Sequence, residues 1–372
     1  MAKVKLGEVA REYKATVKDA VDLPVVGLEH LTPGQVELTQ WSEDADNTFT
    51  KGFKKGQMLF GRRRAYLKKA ALAPFDGICS GDITVIEAIP EKIMPELLPF
   101  VIQNDSLFDY AVEKSAGSLS PRVKWEHLKN YEFELPEMEH QRELVDLLWA
   151  MTRTKKAYQE LEKKTDELVK SQFIERFNGD NFLKEPLKNN VEEMFIGPFG
   201  SALKNDCFVD QESGYCMVYE QKHAIQKTMD VPTRYVSERK YQELKRFTVL
   251  PGDIIVSCRG TVGEIYAIPD DAPMGIMHPS IMKVRLKKDK YDKKFFVFAL
   301  EQYMQDHARE TNGTSIKMAV SASALEKELF IVPELKEQRQ FVSFVEQSDK
   351  SKFELTQAIS RIDDMIKALM QG

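Results

Sequence analysis

The chain has 372 residues, 42% hydrophobic and 30% charged, with room for two domains with ordinary cores. Its net charge of −5 excludes a chain that is basic all over, so any nucleic-acid contact falls to one locally basic face. No apolar run reaches the ~20 residues of a membrane helix, the start MAKVKLGEVAREYK lacks the apolar centre of a secretory signal, and the scattered Cys79, Cys207, Cys216 and Cys258 suggest neither a zinc site nor a disulfide framework; the expected compartment is a reduced cytoplasm.

Residues 1–136 alternate short β-like runs with turns. LPVVGLEHL (23–31) reads as a strand and a turn, punctuated by Pro33-Gly34. KGFKKGQMLFGRRRAYLKKA (51–70) carries eight Lys and Arg and no acid, with Phe53, Phe60 and Tyr66 among the charges. GDITVIEAI (81–89) reads as a buried strand, and ELLPFVIQNDSLFDYAVEKS (96–115) as one helix. The polar loop AGSLSPRVKW (116–125) leads into the strand YEFELP (131–136).

A long helix follows over 137–178, without proline or glycine from Met138 to Phe177. Leu144, Leu148, Met151, Tyr158, Leu161 and Leu168 form its apolar stripe, and Glu160/Lys164 and Asp166/Lys170 are pairs four apart on its exposed face. Residues 179–333 repeat the earlier plan. FIGPFGSALKND (195–206) is a glycine-punctuated loop, FTVLPGDIIVSCRGTVGEIYAI (247–268) a hairpin turning at Gly260–Gly263, and IMKVRLKKDKYDKK (281–294) a strand ending in a basic cluster. KFFVFALEQYMQDHARE (294–310) is the matching helix, TNGTSIKMAVSASAL (311–325) the matching polar loop and ELFIVP (328–333) the matching strand. A second long helix closes the chain over 334–372, with Phe341, Val345, Ser348, Lys352, Leu355, Ile359, Ile362, Ile366 and Leu369 stepping by four and three.

The two helix openings superpose. LKNYEFELPEMEHQREL (128–144) aligns with LEKELFIVPELKEQRQF (325–341), so that Pro136, Gln141 and Arg142 fall on Pro333, Gln338 and Arg339, 197 residues on. Gly56 and Gly252 align at an offset of 196, which places Arg63 on Arg259. The fold class is therefore α+β: two similar mixed α/β domains with an internal pseudo-two-fold repeat, separated by a long two-helix coiled coil. The first helix leaves one domain for the other and the second starts from there, so pairing along their length requires an antiparallel coiled coil.

Lysines and arginines neutralise phosphates, and an arginine can read guanine with two hydrogen bonds. The basic stretch 51–70 is accordingly the main nucleic-acid signal, against the alternative of a strand edge protected by cations. The DNA-facing set is Lys51, Lys54, Lys55, Arg62, Arg63, Arg64, Arg122, Lys124, Lys204, Arg259, Ser315 and Lys317. GPFGSALK (197–204) and CRGTVGE (258–264) lack both glycine-rich nucleotide-binding patterns, and turn geometry explains them more simply. No [DN]PP[YFW] loop and no D…[DE]xK strand is present, and the histidines show no metal-ligand spacing. No enzyme, metal or cofactor site is expected.

The sequence resembles the specificity subunits of type I restriction–modification systems over its whole length. The resemblance rests on the two-fold repeat, on NGTSIKMAVSASALEKELFIVPELKEQRQFV (312–342), on SLSPRVKWEHLKNYEFELPEMEHQRELV (118–145), and on GPFGSALK and GDIIVSCRGTVG. The departure at His140, where the second copy has Glu337, is small. The resemblance implies two target-recognition domains (1–136 and 179–333), each reading half of a bipartite double-stranded DNA site, and helices (137–178 and 334–372) that set the spacing. It further implies two adenine-methyltransferase (modification) subunits docked on the helices, with Gln141, Arg142, Gln338 and Arg339 near them, and restriction/translocase subunits joining the complex. The other classes are a coiled-coil scaffold without sequence-specific DNA binding and a stand-alone DNA-modifying enzyme.

Overall fold

The computed structural model describes residues 2–17, 23–43, 48–177, 182–310 and 321–371. It divides into two compact units, residues 1–163 with 353–372, and residues 164–352. Each unit therefore takes part of both long helices.

In the first unit, β1 (Ala2–Lys5), β2 (Ala10–Glu12), β3 (Val25–Val26), β4 (Lys51–Phe53), β5 (Met58–Gly61), β6 (Ala70–Leu72), β7 (Gly77–Cys79), β8 (Ile83–Ala88) and β9 (Glu132–Leu135) build three sheets. Their orders are β2-β8-β5-β6, β3-β7-β4 and the ribbon β1-β9. The apolar runs in β5 and β8 reflect burial on both faces. Met58, Phe60 and Ile86 enter one core, while Leu59, Ile83 and Val85 enter another.

The second unit contains β10 (Lys184–Pro186), β11 (Val191–Ile196), β12 (Phe208–Val209), β13 (Cys216–Tyr219), β14 (Tyr235–Val236), β15 (Thr248–Val249), β16 (Ile254–Ser257), β17 (Ile265–Ala267), β18 (Gly275–Met277), β19 (Ile281–Leu286) and β20 (Leu329–Ile331). The sheet β11-β19-β16-β17 repeats the first unit's main sheet and β10-β20 repeats its ribbon. In β12-β14-β13-β18-β15, the β13-β18-β15 part repeats β3-β7-β4, and β12 and β14 are additions. Gly56 and Gly252 open the same turn at φ of 83° and 85°. There Gln57 and Asp253 each accept the N–H three residues earlier, from Lys54 and Leu250, at 2.8 Å.

Two expectations change. The segment 96–115 is two helices, Leu98–Ile102 and Asp105–Glu113, because Asn104 adopts an extended backbone and caps the second by accepting from Ser106 N at 3.0 Å. In the long helix Met138–Phe177, Leu161 and Leu168 are about half exposed. The buried positions nearby are Leu148, Val169 and Phe177.

Within each unit the long helices run antiparallel. In the first, Lys155 pairs with Asp363 at 2.6 Å and Glu162 accepts from Thr356 at 2.6 Å. In the second, Asp166 pairs with Lys352 at 2.8 Å, while Phe173 and Phe177 pack on Phe341 with ring centroids 5.4 and 5.6 Å apart. Residue numbers rise on one helix as they fall on the other. Among the described residues no helix is long and apolar enough to cross a membrane.

Candidate nucleic-acid interface

In the first unit, the end of β5 and the loop before Trp125 join two strands of arginine around one carboxylate. Arg62 N donates to Asp82 O at 2.9 Å, Val123 N to Arg62 O at 3.0 Å, and Arg64 N to Pro121 O at 2.8 Å. This backbone zipper brings Arg63 opposite Arg122. Asp82 Oδ1 accepts from Arg122 Nε at 2.6 Å, and its Oδ2 accepts from Arg63 Nη1 at 3.3 Å. Ser120 Oγ accepts from Arg63 Nη2 at 3.1 Å. The Arg122 hydrogen bond chiefly, with Arg63, holds the Asp82 carboxyl below its usual range, against the opposing effect of burial. Arg64 holds a left-handed φ of 54° and is exposed, as is Lys124.

The remaining cations of the stretch are less available than their spacing suggests. Lys51 points inward, with Nζ donating to Ile83 O at 2.8 Å and 21% of its side chain exposed. Burial pulls its pKa down. Lys54 pairs with Asp76 at 2.8 Å, and the same carboxylate accepts from Lys55 N. The stretch has no acid within it, yet the fold supplies Asp76, Asp82 and Asp105 from outside.

In the second unit the corresponding place is the turn between β16 and β17. Cys258 N donates to Ser280 O at 2.8 Å, as Arg62 N does to Asp82 O, so a serine stands where the first unit has its carboxylate. Arg259 is exposed and has no carboxylate partner among the described residues. Ser257, fully buried, braces the turn. Its Oγ donates to Thr261 O at 2.7 Å and accepts from Glu264 N at 2.9 Å. Gly260 and Gly263 supply its positive φ values of 67° and 91°. Lys204 is exposed on the neighbouring glycine-punctuated loop, which also displays Phe199 at 89% exposure. Ser315 and Lys317 lie outside the described residues.

Several polar residues gathered here were not singled out from the sequence. His278 lies within electrostatic reach of Arg259, Arg234, Lys222 and Glu220. Glu220, 6% exposed, carries Lys222 at 2.6 Å and also Arg234, whose guanidinium covers the Phe208 ring at 3.9 Å. For Glu220, Lys222 and His223 the sequence signal is VVGLEH (25–30) aligned with VYEQKH (218–223). In both, a histidine Nδ1 accepts the N–H three residues earlier, Gly27 to His30 and Glu220 to His223, at 3.0 Å. His223 Nε2 has no hydrogen-bond partner among the described residues, and burial lowers the His223 pKa.

At the helix openings Gln141 and Gln338 are 1% and 0% exposed, with amides bonded to backbone within their own units. Both side chains brace their helix openings from inside. Arg142 and Arg339 beside them are exposed.

A family model described as the type I restriction modification DNA specificity domain matches residues 1–164 and 203–362. The chain belongs to that family. The type I restriction enzyme EcoDI specificity subunit of Escherichia coli is 25% identical over 144 residues, 36% of this chain and 31% of that protein, so the match spans about a third of the relative. The fold is similar to a chain from a structure on complex assembly and conformational transition of the type I R-M system, with TM-score 0.66 and 18% identity, covering 99% and 96% of the two chains. It is also similar to the type I restriction-modification S subunit from M. genitalium, with TM-score 0.51 and 13% identity, covering 100% and 96%.

Proposed function

We propose that the chain is the DNA-recognition subunit of a type I restriction–modification complex, non-catalytic itself, with each unit reading one half of a bipartite site. The observation that carries this reading is one scaffold used twice with different edges. The main sheets, the turn at Gly56 and Gly252 and the helix openings repeat. The basic edges differ, with Arg63 and Arg122 sharing Asp82 in one unit and Arg259 lacking a carboxylate among the described residues of the other. Two half-sites of different sequence require different edges, whereas identical partners require identical helix openings.

Partner docking falls to the helices. Leu147, Leu168, Ile174, Phe353 and Met365 are each at least 43% exposed on them, together with Arg142 and Arg339. Lone exposed apolar residues are ordinary, but several along one pair of helices mark an interaction surface. The partners are two adenine-methyltransferase subunits, joined by restriction/translocase subunits, and the chemistry is theirs.

The test is reconstitution of the chain with the host's modification subunits, followed by mapping of methylated adenines. The reading requires a single bipartite motif that disappears when this chain is omitted. Methylation independent of this chain, or absence of sequence preference with it, overturns the reading.

A further inference from the structure

Among the half-buried and buried glutamines, Gln221 stands apart. The amides of Gln57, Gln141 and Gln338 are engaged at both ends by backbone or side-chain partners. Gln221 Oε1 is shielded from solvent and makes no hydrogen bond among the described residues. A shielded carbonyl without a protein partner is destabilising, so a group from outside the chain is the expected complement.

Its surroundings point to that role. Gln221 begins the short helix Gln221–Gln226 directly after the turn capped by His223. Its amide lies against Gly260, where an added Cβ would stand 3.4 Å from Nε2. Arg259 immediately precedes Gly260 in the chain and is exposed, without a carboxylate partner among the described residues. Lys222 follows Gln221 and is anchored on Glu220 at 2.6 Å. A neutral amide therefore sits among cations at the edge proposed to face DNA.

The first unit supplies the comparison. The turn after β3 has the same histidine cap as the turn after β13, at 3.0 Å in both. At the position of Gln221 it carries Leu28, which packs against Gly61 at the end of β5, 3.1 Å from an added Cβ. The position of Lys222 is held by Glu29. The backbone is kept and the outward chemistry is replaced, an amide for an aliphatic chain and a cation for an acid. That is how one scaffold reads two different base sequences.

We propose that Gln221 reads a base of the second half-site, pairing its amide with N6 and N7 of an adenine in the major groove. Glutamine matches that edge because it offers one acceptor and one donor side by side. Rotation about its own torsions carries the half-buried amide from Gly260 to the base, which then supplies the partner that Oε1 lacks. Arg259 next to it holds the DNA. This inference rests on the DNA-recognition reading above.

The test uses the full chain assembled with its modification subunits. Methylated sites are mapped for the wild type, for Q221L, which installs the first unit's side chain, and for Q221A, which removes the amide without added bulk. The expected result is an unchanged first half-site and loss of preference for adenine at one position of the second. Methylation of the wild-type motif should fall roughly tenfold or more relative to sites substituted at that position. If Q221L fails to assemble, Q221A decides. An unchanged motif overturns the inference, and so does a uniform loss across all sequences, which would mark a structural or phosphate contact. A wild-type complex without any bipartite motif fails earlier, and takes both readings with it.

Discussion

Gln338 Nε2 donates to the carbonyl of Pro333 at 2.8 Å, tying the second turn of a long helix to the strand that precedes it. Gln141 makes the same bond to Pro136 at 2.8 Å. Each amide oxygen also accepts a backbone N–H from its own unit, Met94 for Gln141 and Asp292 for Gln338, at 2.8 Å. Two short links thus fix the angle at which each helix leaves its unit. Gln338→Ala should cost about 2–4 kcal/mol of stability, because several buried backbone groups lose their partner together. Denaturant unfolding checks this, and a loss under about 1 kcal/mol would show that the amide is dispensable.

The exposed neighbours should behave in the opposite way. Changing Arg142 and Arg339 together to Glu leaves the buried brace intact and reverses charge on the helix surface. The expected outcome is a folded chain that no longer assembles with two methyltransferase subunits. Size exclusion with light scattering checks it, and a normal complex would remove these arginines from the docking surface.

At the basic edges, Arg259→Ala should weaken DNA binding by the assembled complex and reduce the salt slope by about one phosphate contact. Arg63→Ala should have a smaller effect, because Asp82 already shares its charge with Arg122. Asp82→Asn should steepen the salt dependence by releasing both arginines. Titrations over a range of salt concentration check all three, and equal slopes in wild type and variants would place these residues off the DNA.

How much of this was legible in the sequence varies with the kind of contact. The long helices are plain because each is a local pattern, and the first runs from Met138 to Phe177 as its composition implies. The copied openings are plain because Pro136, Gln141, Pro333 and Gln338 recur at one offset. The counter-ions of the basic stretch were hidden, since Asp76, Asp82 and Asp105 come from other parts of the chain. Opposite residues on the main sheet were hidden for another reason: Arg11 faces Glu87 in the first unit, while Glu193 faces Arg285 in the second. The pairing is kept and the charges are exchanged, so residue-by-residue identity conceals it. Likewise the helical stripe took Leu168 where Val169 is the buried residue, because spacing alone does not say which of two adjacent apolar residues turns inward.

His223 makes stability depend on pH. Burial lowers its pKa below the ordinary 6.5, and its Nδ1 accepts the Glu220 N–H at 3.0 Å, which requires the neutral ring. Between the lowered value and 6.5 the unfolded chain binds more protons than the folded one, so stability rises with pH. The contribution is fully present above 6.5 and is lost as the pH falls below it. His223→Phe keeps a ring in the core and should flatten the pH dependence of thermal unfolding below pH 6.5. An equally steep dependence in the variant would assign the effect to another group.

The helices should also determine how far apart the half-sites lie. Glu162 bonds to Thr356 in the first unit, and Asp166 pairs with Lys352 in the second, so a cut between these two contacts leaves each unit whole. Insertion of two heptads between Lys163 and Lys164, and again between Lys352 and Phe353, where the two units meet in sequence, preserves the apolar register of both helices. Each helix lengthens by about 21 Å at about 1.5 Å per residue. At about 3.4 Å per base pair, that distance corresponds to roughly six base pairs of DNA. The unread spacer of the methylated motif should therefore lengthen by about that amount, adjusted for rotation about the DNA axis, with both half-sites unchanged. Mapping the methylated sites of the lengthened protein checks this. A spacer of the original length, or altered half-sites, would show that the helices do not act as the ruler.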